Sequence, residues 1–308
     1  MAHRIDVHFH PTPPGSLVGR GDISANARRG WSMEKSLADM EQGAVAKSML
    51  SLPHPASTWT KGVEAGRDTA RQWNEYLAGT ARDHAGKFGV FATLPITDVE
   101  GSLREIEHAF DTLKADGINM MTNMGERWLG DPHYWPIFEE LNRRKAVVYT
   151  HPMAPRCCAS CMPELSDATI EFGTDTTRAI AKLLFSGAAA RFPEIRFIFS
   201  HAGGTMPFIV ERFEHAWRYS PIDLKAMVPK GVLFELKKLY YDTAQAAHRH
   251  AMSSLRELVP ATQILFGTDY PYRTPEETAL GLRGCGFSAA ELRSIDCDNA
   301  LKLFPARP

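Results

Sequence analysis

Two histidines near the amino terminus stand one residue apart, within the hexapeptide IDVHFH at residues 5–10. If this hexapeptide is a strand, its period-two alternation places Asp6, His8 and His10 on one face, and Ile5, Val7 and Phe9 on the other. Polar groups that converge inside a protein carry a desolvation cost unless they bind something, and two neutral imidazoles at this spacing can hold one metal ion. The alternative is that both are ordinary histidines, either hydrogen-bonded or exposed.

The same chemistry recurs where three later apolar runs end. His151 closes one run, His201 directly follows another, and Asp269 directly follows a third. Either of these histidines alone is most simply explained as a buried residue that bonds to a neighbouring loop. Together with the first pair, they indicate one shared site, provided that the fold brings these strand ends together.

Short runs rich in β-branched or aromatic residues alternate along the whole chain with longer segments of helical spacing, a pattern typical of parallel βαβ units. The predicted strands are residues 5–10, 45–52, 88–94, 117–122, 146–151, 195–201, 239–243 and 264–269. The predicted helices are residues 31–42, 64–84, 99–114, 134–144, 167–191 and 205–217, and long loops are expected at 11–30 and 156–166.

Eight such strands predict an α/β fold, the (β/α)8 TIM barrel, in which the carboxyl ends of the strands surround one site. A doubly wound open sheet is the alternative, but no glycine-rich phosphate-binding fingerprint follows the first run. The sequence contains no linker and no repeat of solenoid period, so we expect a single domain over residues 1–308.

The composition excludes several classes of partner. Lysine plus arginine number 35 against 36 acidic residues, which gives a net charge of −1 and no positive field for nucleic acid or anionic lipid. No uninterrupted apolar run of about 18 residues is present. Five cysteines, an odd number, do not suggest a disulfide framework. We expect a cytoplasmic homodimer without nucleic-acid or membrane partners.

The sequence resembles the metal-dependent amidohydrolase superfamily, in the branch related to aminocarboxymuconate semialdehyde decarboxylase. Within that branch, residues 29–53 and 134–152 are most similar to 6-methylsalicylate decarboxylases. The stretches that carry the superfamily resemblance are IDVHFH, VVYTHP, IRFIFSHAGGTMPF, LYYDTA and ILFGTDYPY.

The resemblance implies that His8, His10, His151 and Asp269 bind the metal, while His201 acts beside it as an acid or base. Asp269 would share in the chemistry. Binuclear relatives use a carboxylated lysine at the end of the fourth strand, but residues 117–123 contain neither lysine nor glutamate, so we expect one divalent ion. Nitrogen and oxygen ligands suit zinc, our first choice, and manganese, the alternative.

The implied activity is metal-dependent, non-oxidative decarboxylation of an ortho-hydroxyaromatic acid such as 6-methylsalicylate, a small aromatic carboxylate. The alternative is a hydrolase of a lactone, amide or C–C bond, because a bound metal ion lowers the pKa of water to roughly 7. The metal residues alone do not distinguish the two activities.

Several further residues follow strand ends. Arg156 and Tyr272 are candidate substrate contacts, and Arg273 is placed similarly. Asp242 ends the seventh predicted strand, where a carboxylate can fix the tautomer of a ligand histidine, although it can instead cap the next helix. No partner Cys or His pair completes a structural zinc site, so we expect ordinary thiols that line or brace a pocket loop at Cys157, Cys158 and Cys161.

Overall fold

Eight parallel strands form one sheet in the computed structural model, which describes residues 3–13, 30–52, 62–159 and 161–305. Each strand pairs with the next one along the chain, and the last returns to the first through the bonds Val7 N to Phe266 O and Asp269 N to His8 O, both 2.9 Å. The predicted TIM barrel is therefore confirmed. Its strands are β1 (Arg4–Phe9), β2 (Val45–Leu50), β3 (Phe88–Thr93), β4 (Gly117–Met121), β5 (Val147–His151), β6 (Arg196–Phe199), β7 (Tyr240–Asp242) and β8 (Ile264–Leu265).

All eight predicted strands are present, but β8 ends four residues earlier than predicted. Beyond Leu265, the backbone N–H groups of two residues donate to side chains instead of to a neighbouring strand. Gly267 N bonds to the Thr243 hydroxyl at 3.0 Å, and Thr268 N bonds to the Asp6 carboxylate at 3.1 Å. These contacts keep the segment extended against β1 without a regular ladder.

Helices surround the barrel. The predicted helix at 167–191 is interrupted, because Gly187 adopts a left-handed φ of 82° between two shorter helices. The predicted helix at 99–114 also changes type, ending as a π turn at His108–Thr112. The helices are α1 (Met33–Gln42), α2 (Val63–Asp83), α3 (Val99–Glu107), α4 (Trp135–Arg143), α5 (Glu171–Phe185), α6 (Ala188–Arg191), α7 (Met206–Tyr219), α8 (Leu224–Met227), α9 (Val232–Leu236), α10 (Arg249–Leu258), α11 (Pro275–Arg283), α12 (Ala289–Arg293) and α13 (Asn299–Leu303).

The apolar core has two parts. The larger lies between the strands and the surrounding helices, and the smaller joins residues of six barrel strands to α13, which places it inside the barrel. In the smaller part, Tyr149 stacks on Phe91 with ring centroids 5.1 Å apart. The ring of Tyr149 also meets the edge of His8 at 5.2 Å. Packed aromatic rings therefore form the floor beneath the histidines.

The alternation predicted for β1 is interrupted. Ile5 and Val7 pack in the inner part of the core, whereas Phe9 packs in the outer part. The pairing register of β1 against β2 shifts between Asp6 and Phe9, and such an irregularity changes which face successive side chains occupy. The expectation that Ile5, Val7 and Phe9 share one face is therefore wrong.

None of the helices in the described part of the chain combines the length and the apolar character needed to cross a membrane.

The packing of α11 gives a stability prediction. An ideal Cβ on Gly281 would lie 2.1 Å from the carbonyl oxygen of Ala247, whereas one on Gly79 in α2 meets only the Arg82 side chain at 3.8 Å. We expect Gly281→Ala to destabilise the fold by about 1–3 kcal/mol through overpacking. Gly79→Ala, the matched control, should stabilise it by about 0.5–1 kcal/mol. Urea unfolding measures both, and unchanged stability in Gly281→Ala would contradict this account of the packing.

Candidate metal centre

Four buried side chains meet at the carboxyl ends of the strands. His8 and His10 lie at the end of β1, His151 ends β5, and Asp269 follows β8. One ligand atom from each residue can be chosen so that all four atoms lie within 4.8 Å of one another. The fold thus brings together the four residues that the resemblance implied as metal ligands.

Backbone carbonyls orient two of the imidazoles. His10 Nδ1 lies 3.1 Å from the carbonyl oxygen of Ser51, and His151 Nδ1 lies 2.8 Å from that of Pro152. Because a carbonyl oxygen only accepts, each Nδ1 carries the hydrogen. Burial lowers the pKa of His10 and of His151, which favours the neutral form of both rings. Each Nε2 therefore offers a lone pair.

His8 shows that the site stabilises positive charge. Its Nδ1 lies 2.8 Å from Asp242 Oδ2, and its Nε2 lies 3.0 Å from His10 Nε2 and 3.3 Å from Asp269 Oδ1. Burial disfavours the charged imidazole, but the carboxylates of Asp242 and Asp269 outweigh burial and raise the pKa of His8 to about 10. A cation among these atoms is electrostatically favoured.

The donor atoms fit a metal ion. Asp269 Oδ1 is buried, lies 3.2 Å from His10 Nε2, and accepts no hydrogen bond from the residues that the structure describes. One divalent ion would satisfy this oxygen together with the three imidazole nitrogens. The group could therefore hold a divalent metal ion, and mixed nitrogen and oxygen donors suit zinc or manganese.

The Asp242 carboxylate connects His8, a candidate metal ligand, with His201, the candidate acid or base. While Oδ2 faces His8 Nδ1, Oδ1 accepts from the backbone N–H of His201 at 2.9 Å and of Ala244 at 3.0 Å. The contact to a histidine ring that the sequence suggested is present, whereas its alternative, a helix cap, is not, because Ala244 lies in a turn and the next helix begins at Arg249. A buried carboxylate bonded to a ligand imidazole fixes its tautomer and orientation.

We call His8, His10, His151 and Asp269 the metal group. His201 faces this group without a polar partner. Its Nε2 lies 3.5 Å from Asp269 Oδ2, is buried, and makes no hydrogen bond within the described part of the chain. His201, Gln245 and Asp269 have left-handed φ values of 55°, 55° and 63°. Non-glycine residues rarely adopt this conformation, and these three lie in the segments that follow β6, β7 and β8.

The other candidate residues are not members of this group. Asp6 bonds to the Thr268 hydroxyl at 2.6 Å instead of joining the histidines. Arg156 is exposed in a turn and forms no ion pair with any described residue. Tyr272 is half-buried, and its N–H closes a turn onto Asp269 O at 2.8 Å. Arg273 Nε contacts the side-chain oxygen of a glutamine at 3.3 Å.

Free thiols occur on the loop after β5. Cys157 and Cys158 Sγ lie 3.0 Å apart, and all three cysteines of this loop are free. Cys158 and Cys161 line a small, partly open pocket of about 50 Å³ together with apolar side chains such as Met162. This position agrees with the prediction of thiols that line a pocket loop.

Sequence reasoning missed two contacts at the site. The Gln245 side chain donates from Nε2 to Asp269 Oδ2 at 3.0 Å. The ring of Phe172, in α5, meets His151 edge-on at 5.9 Å. Gln245 stands three residues after the end of β7, so its position just beyond a strand end was a usable signal. Phe172 lies 21 positions after His151 in the sequence, in a helix, and no local pattern points to it.

Known proteins are similar to this chain over almost its whole length. The amidohydrolase family model matches residues 5–306. The chain is 31% identical to 6-methylsalicylic acid decarboxylase of Penicillium expansum, covering 98% of this chain and 96% of that protein. It is 31% identical to decarboxylase yanB of Aspergillus niger, covering 98% and 87%. A solved dihydroxybenzoic acid decarboxylase from Polaromonas sp. JS666, with bound manganese and 2-nitroresorcinol, superposes with a TM-score of 0.84 at 24% identity, covering 99% and 97%. The chain belongs to the amidohydrolase family.

Proposed function

We propose that this protein is a metal-dependent decarboxylase of an ortho-hydroxyaromatic acid, with 6-methylsalicylate as the first substrate to test. The observation that carries the proposal is the group His8, His10, His151 and Asp269 with His201 beside it, at the mouth of the barrel. Relatives that match almost the whole chain at 31% identity are named as decarboxylases, which favours this chemistry over hydrolysis.

The proposed metal ligands are the Nε2 atoms of His8, His10 and His151 and one oxygen of Asp269. When bound, a divalent ion supplies the positive charge that holds the carboxylate and the adjacent hydroxyl oxygen of the substrate. Zinc remains our first choice, and manganese is the alternative, since it is bound in the Polaromonas relative. The Phe172 edge beside His151 offers an apolar contact for the substrate ring.

His201 and Asp269 handle the proton in this proposal. His201 Nε2 is buried, makes no hydrogen bond among the described residues and lies 3.5 Å from Asp269 Oδ2, so either group can hold the proton that the substrate takes up. The bond from the ring to the carboxylate carbon breaks, carbon dioxide leaves, and the ring carbon takes up one proton. That proton comes ultimately from solvent through this pair.

The metal ligands can be tested directly. His151→Ala removes one imidazole donor, so we expect metal content to fall from about one ion per chain to a small fraction. His250→Ala changes an exposed histidine on α10 and should leave the metal in place. Elemental analysis of protein purified without chelators measures the loss and separates zinc from manganese. Full metal retention in a His8→Ala/His10→Ala double variant would refute the assignment.

The role of His201 predicts a different pattern. His201→Ala should retain the metal while kcat falls by roughly 10²- to 10⁴-fold, the usual effect of removing a positioned acid or base. Metal analysis and steady-state kinetics on one preparation separate binding from chemistry. Loss of the metal together with the side chain would make His201 a ligand and would contradict the proposed proton role.

The reaction itself can be followed in deuterium oxide. We expect turnover of 6-methylsalicylate to release carbon dioxide and to place one deuterium on the ring carbon that carried the carboxylate, because that carbon takes its hydrogen from solvent. Mass spectrometry and proton NMR of the product measure this. If a lactone, ester or amide is turned over faster than any aromatic acid, with oxygen from labelled water in the product, the hydrolase alternative replaces the decarboxylase proposal.

A further inference from the structure

The two oxygens of the Asp269 carboxylate have different surroundings. Oδ1 faces the Nε2 atoms of His8 and His10 at 3.3 and 3.2 Å. Oδ2 accepts a hydrogen bond from Gln245 Nε2 at 3.0 Å and faces His201 Nε2 at 3.5 Å. One oxygen is thus directed at the metal group and the other at the proposed proton carrier, and the amide of Gln245 is bonded to the second one only.

The orientation of the Gln245 amide is fixed from both sides. A carboxylate only accepts hydrogen bonds and a guanidinium only donates them. Nε2 of Gln245 must therefore face Asp269, and its Oε1 must accept from Arg273 Nε, which lies 3.3 Å away. This pair of contacts connects the loop after β7 with the loop after β8.

The backbone of Gln245 also points to a functional position. Its φ of 55° lies in the left-handed region, which is strained for a residue with a Cβ and persists where the surrounding structure imposes it. The residue is exposed at the barrel mouth, while its amide bonds to the buried carboxylate of Asp269. Gln245 therefore lies between the entrance and the reacting groups.

We propose that Gln245 is a positioning residue that fixes the rotation of the Asp269 carboxylate, with Arg273 orienting the Gln245 amide. Its hydrogen bond keeps Oδ1 directed at the metal group and Oδ2 directed at His201. Without this donor, the carboxylate rotates and both oxygens compete for the metal side, so Oδ2 no longer faces His201 Nε2. The expected effect on turnover rests on the proposed function, whereas the effect on the carboxylate does not.

The test compares Gln245→Ala, Gln245→Glu and Arg273→Ala. Gln245→Glu keeps the size of the side chain but replaces its amide with a carboxylate. The matched control is Gln42→Ala, because Gln42 is also an exposed glutamine whose Nε2 donates to a carboxylate, that of Glu276 at 2.6 Å, on the surface formed by α1 and α11. Each variant is loaded with Co²⁺, whose visible absorption reports the ligands, and is assayed for metal content, kcat and KM.

We expect Gln245→Ala to retain its metal, to change the Co²⁺ spectrum, and to lower kcat by roughly 10- to 100-fold, the scale of a small misplacement of a reacting group. KM should change by less than about threefold, because the residue acts on the carboxylate rather than on substrate binding. Gln245→Glu should behave like Gln245→Ala, Arg273→Ala should show the same change more weakly, and Gln42→Ala should match the wild type.

Two results would overturn the proposal. A Co²⁺ spectrum and a kcat in Gln245→Ala equal to those of Gln42→Ala would show that the amide does not position Asp269. Wild-type behaviour in Gln245→Glu at a pH at which the new carboxyl group is ionised and cannot donate would show that size, and not donation, matters. If the wild-type protein decarboxylates no aromatic acid, the proposed function fails, and the Co²⁺ spectra of the same variants still decide whether Gln245 orients the carboxylate.

Discussion

The geometry of the site depends on one buried carboxylate, Asp242. Its two oxygens hold the His8 ring and the backbone of His201, so the strand end of β7 sets the relative position of a proposed metal ligand and of the proposed proton carrier. A carboxylate without exposure is costly unless its oxygens are satisfied, and here imidazole and backbone N–H groups satisfy them. Displacing this side chain would leave His8 without its partner and move His201 at the same time.

The rest of the site extends this arrangement. The stacked rings of Tyr149 and Phe91 pack inside the barrel directly beneath the His8 ring. Backbone carbonyls of Ser51 and Pro152 direct the other two rings. Because each ring is held at Nδ1, each Nε2 points at the same small volume, and the electrostatics of that volume favour a cation.

Much of this could be predicted from the sequence, because strand ends are marked by a change from apolar residues to a histidine or an aspartate. The pattern identified all eight strands. Because the carboxyl ends of barrel strands surround one site, it also predicted that His8, His151 and Asp269 lie close together. Register and helix breaks could not be predicted in the same way. The irregularity in β1 depends on how residues 6–9 pair with β2 and β8, and the break at Gly187 depends on packing as well as on the glycine itself. The position of Gln245 after β7 could be read from the sequence, but its hydrogen bond could not, because that bond depends on how the Asp269 carboxylate is rotated.

The barrel closes where its pairing is weakest, because the described residues form no regular ladder between β8 and β1, only the bridge of Phe9 with Tyr270 and separate backbone bonds. The residues that complete this seam are also ligand candidates: Asp269 N bonds to His8 O, and the side chains of both face the same volume. An ion held there would clasp the first strand to the last, and its binding free energy would add to the stability of the folded chain. Metal supply would then set the lifetime of the protein as well as its activity, because the metal-free chain would open at this seam first and be degraded sooner.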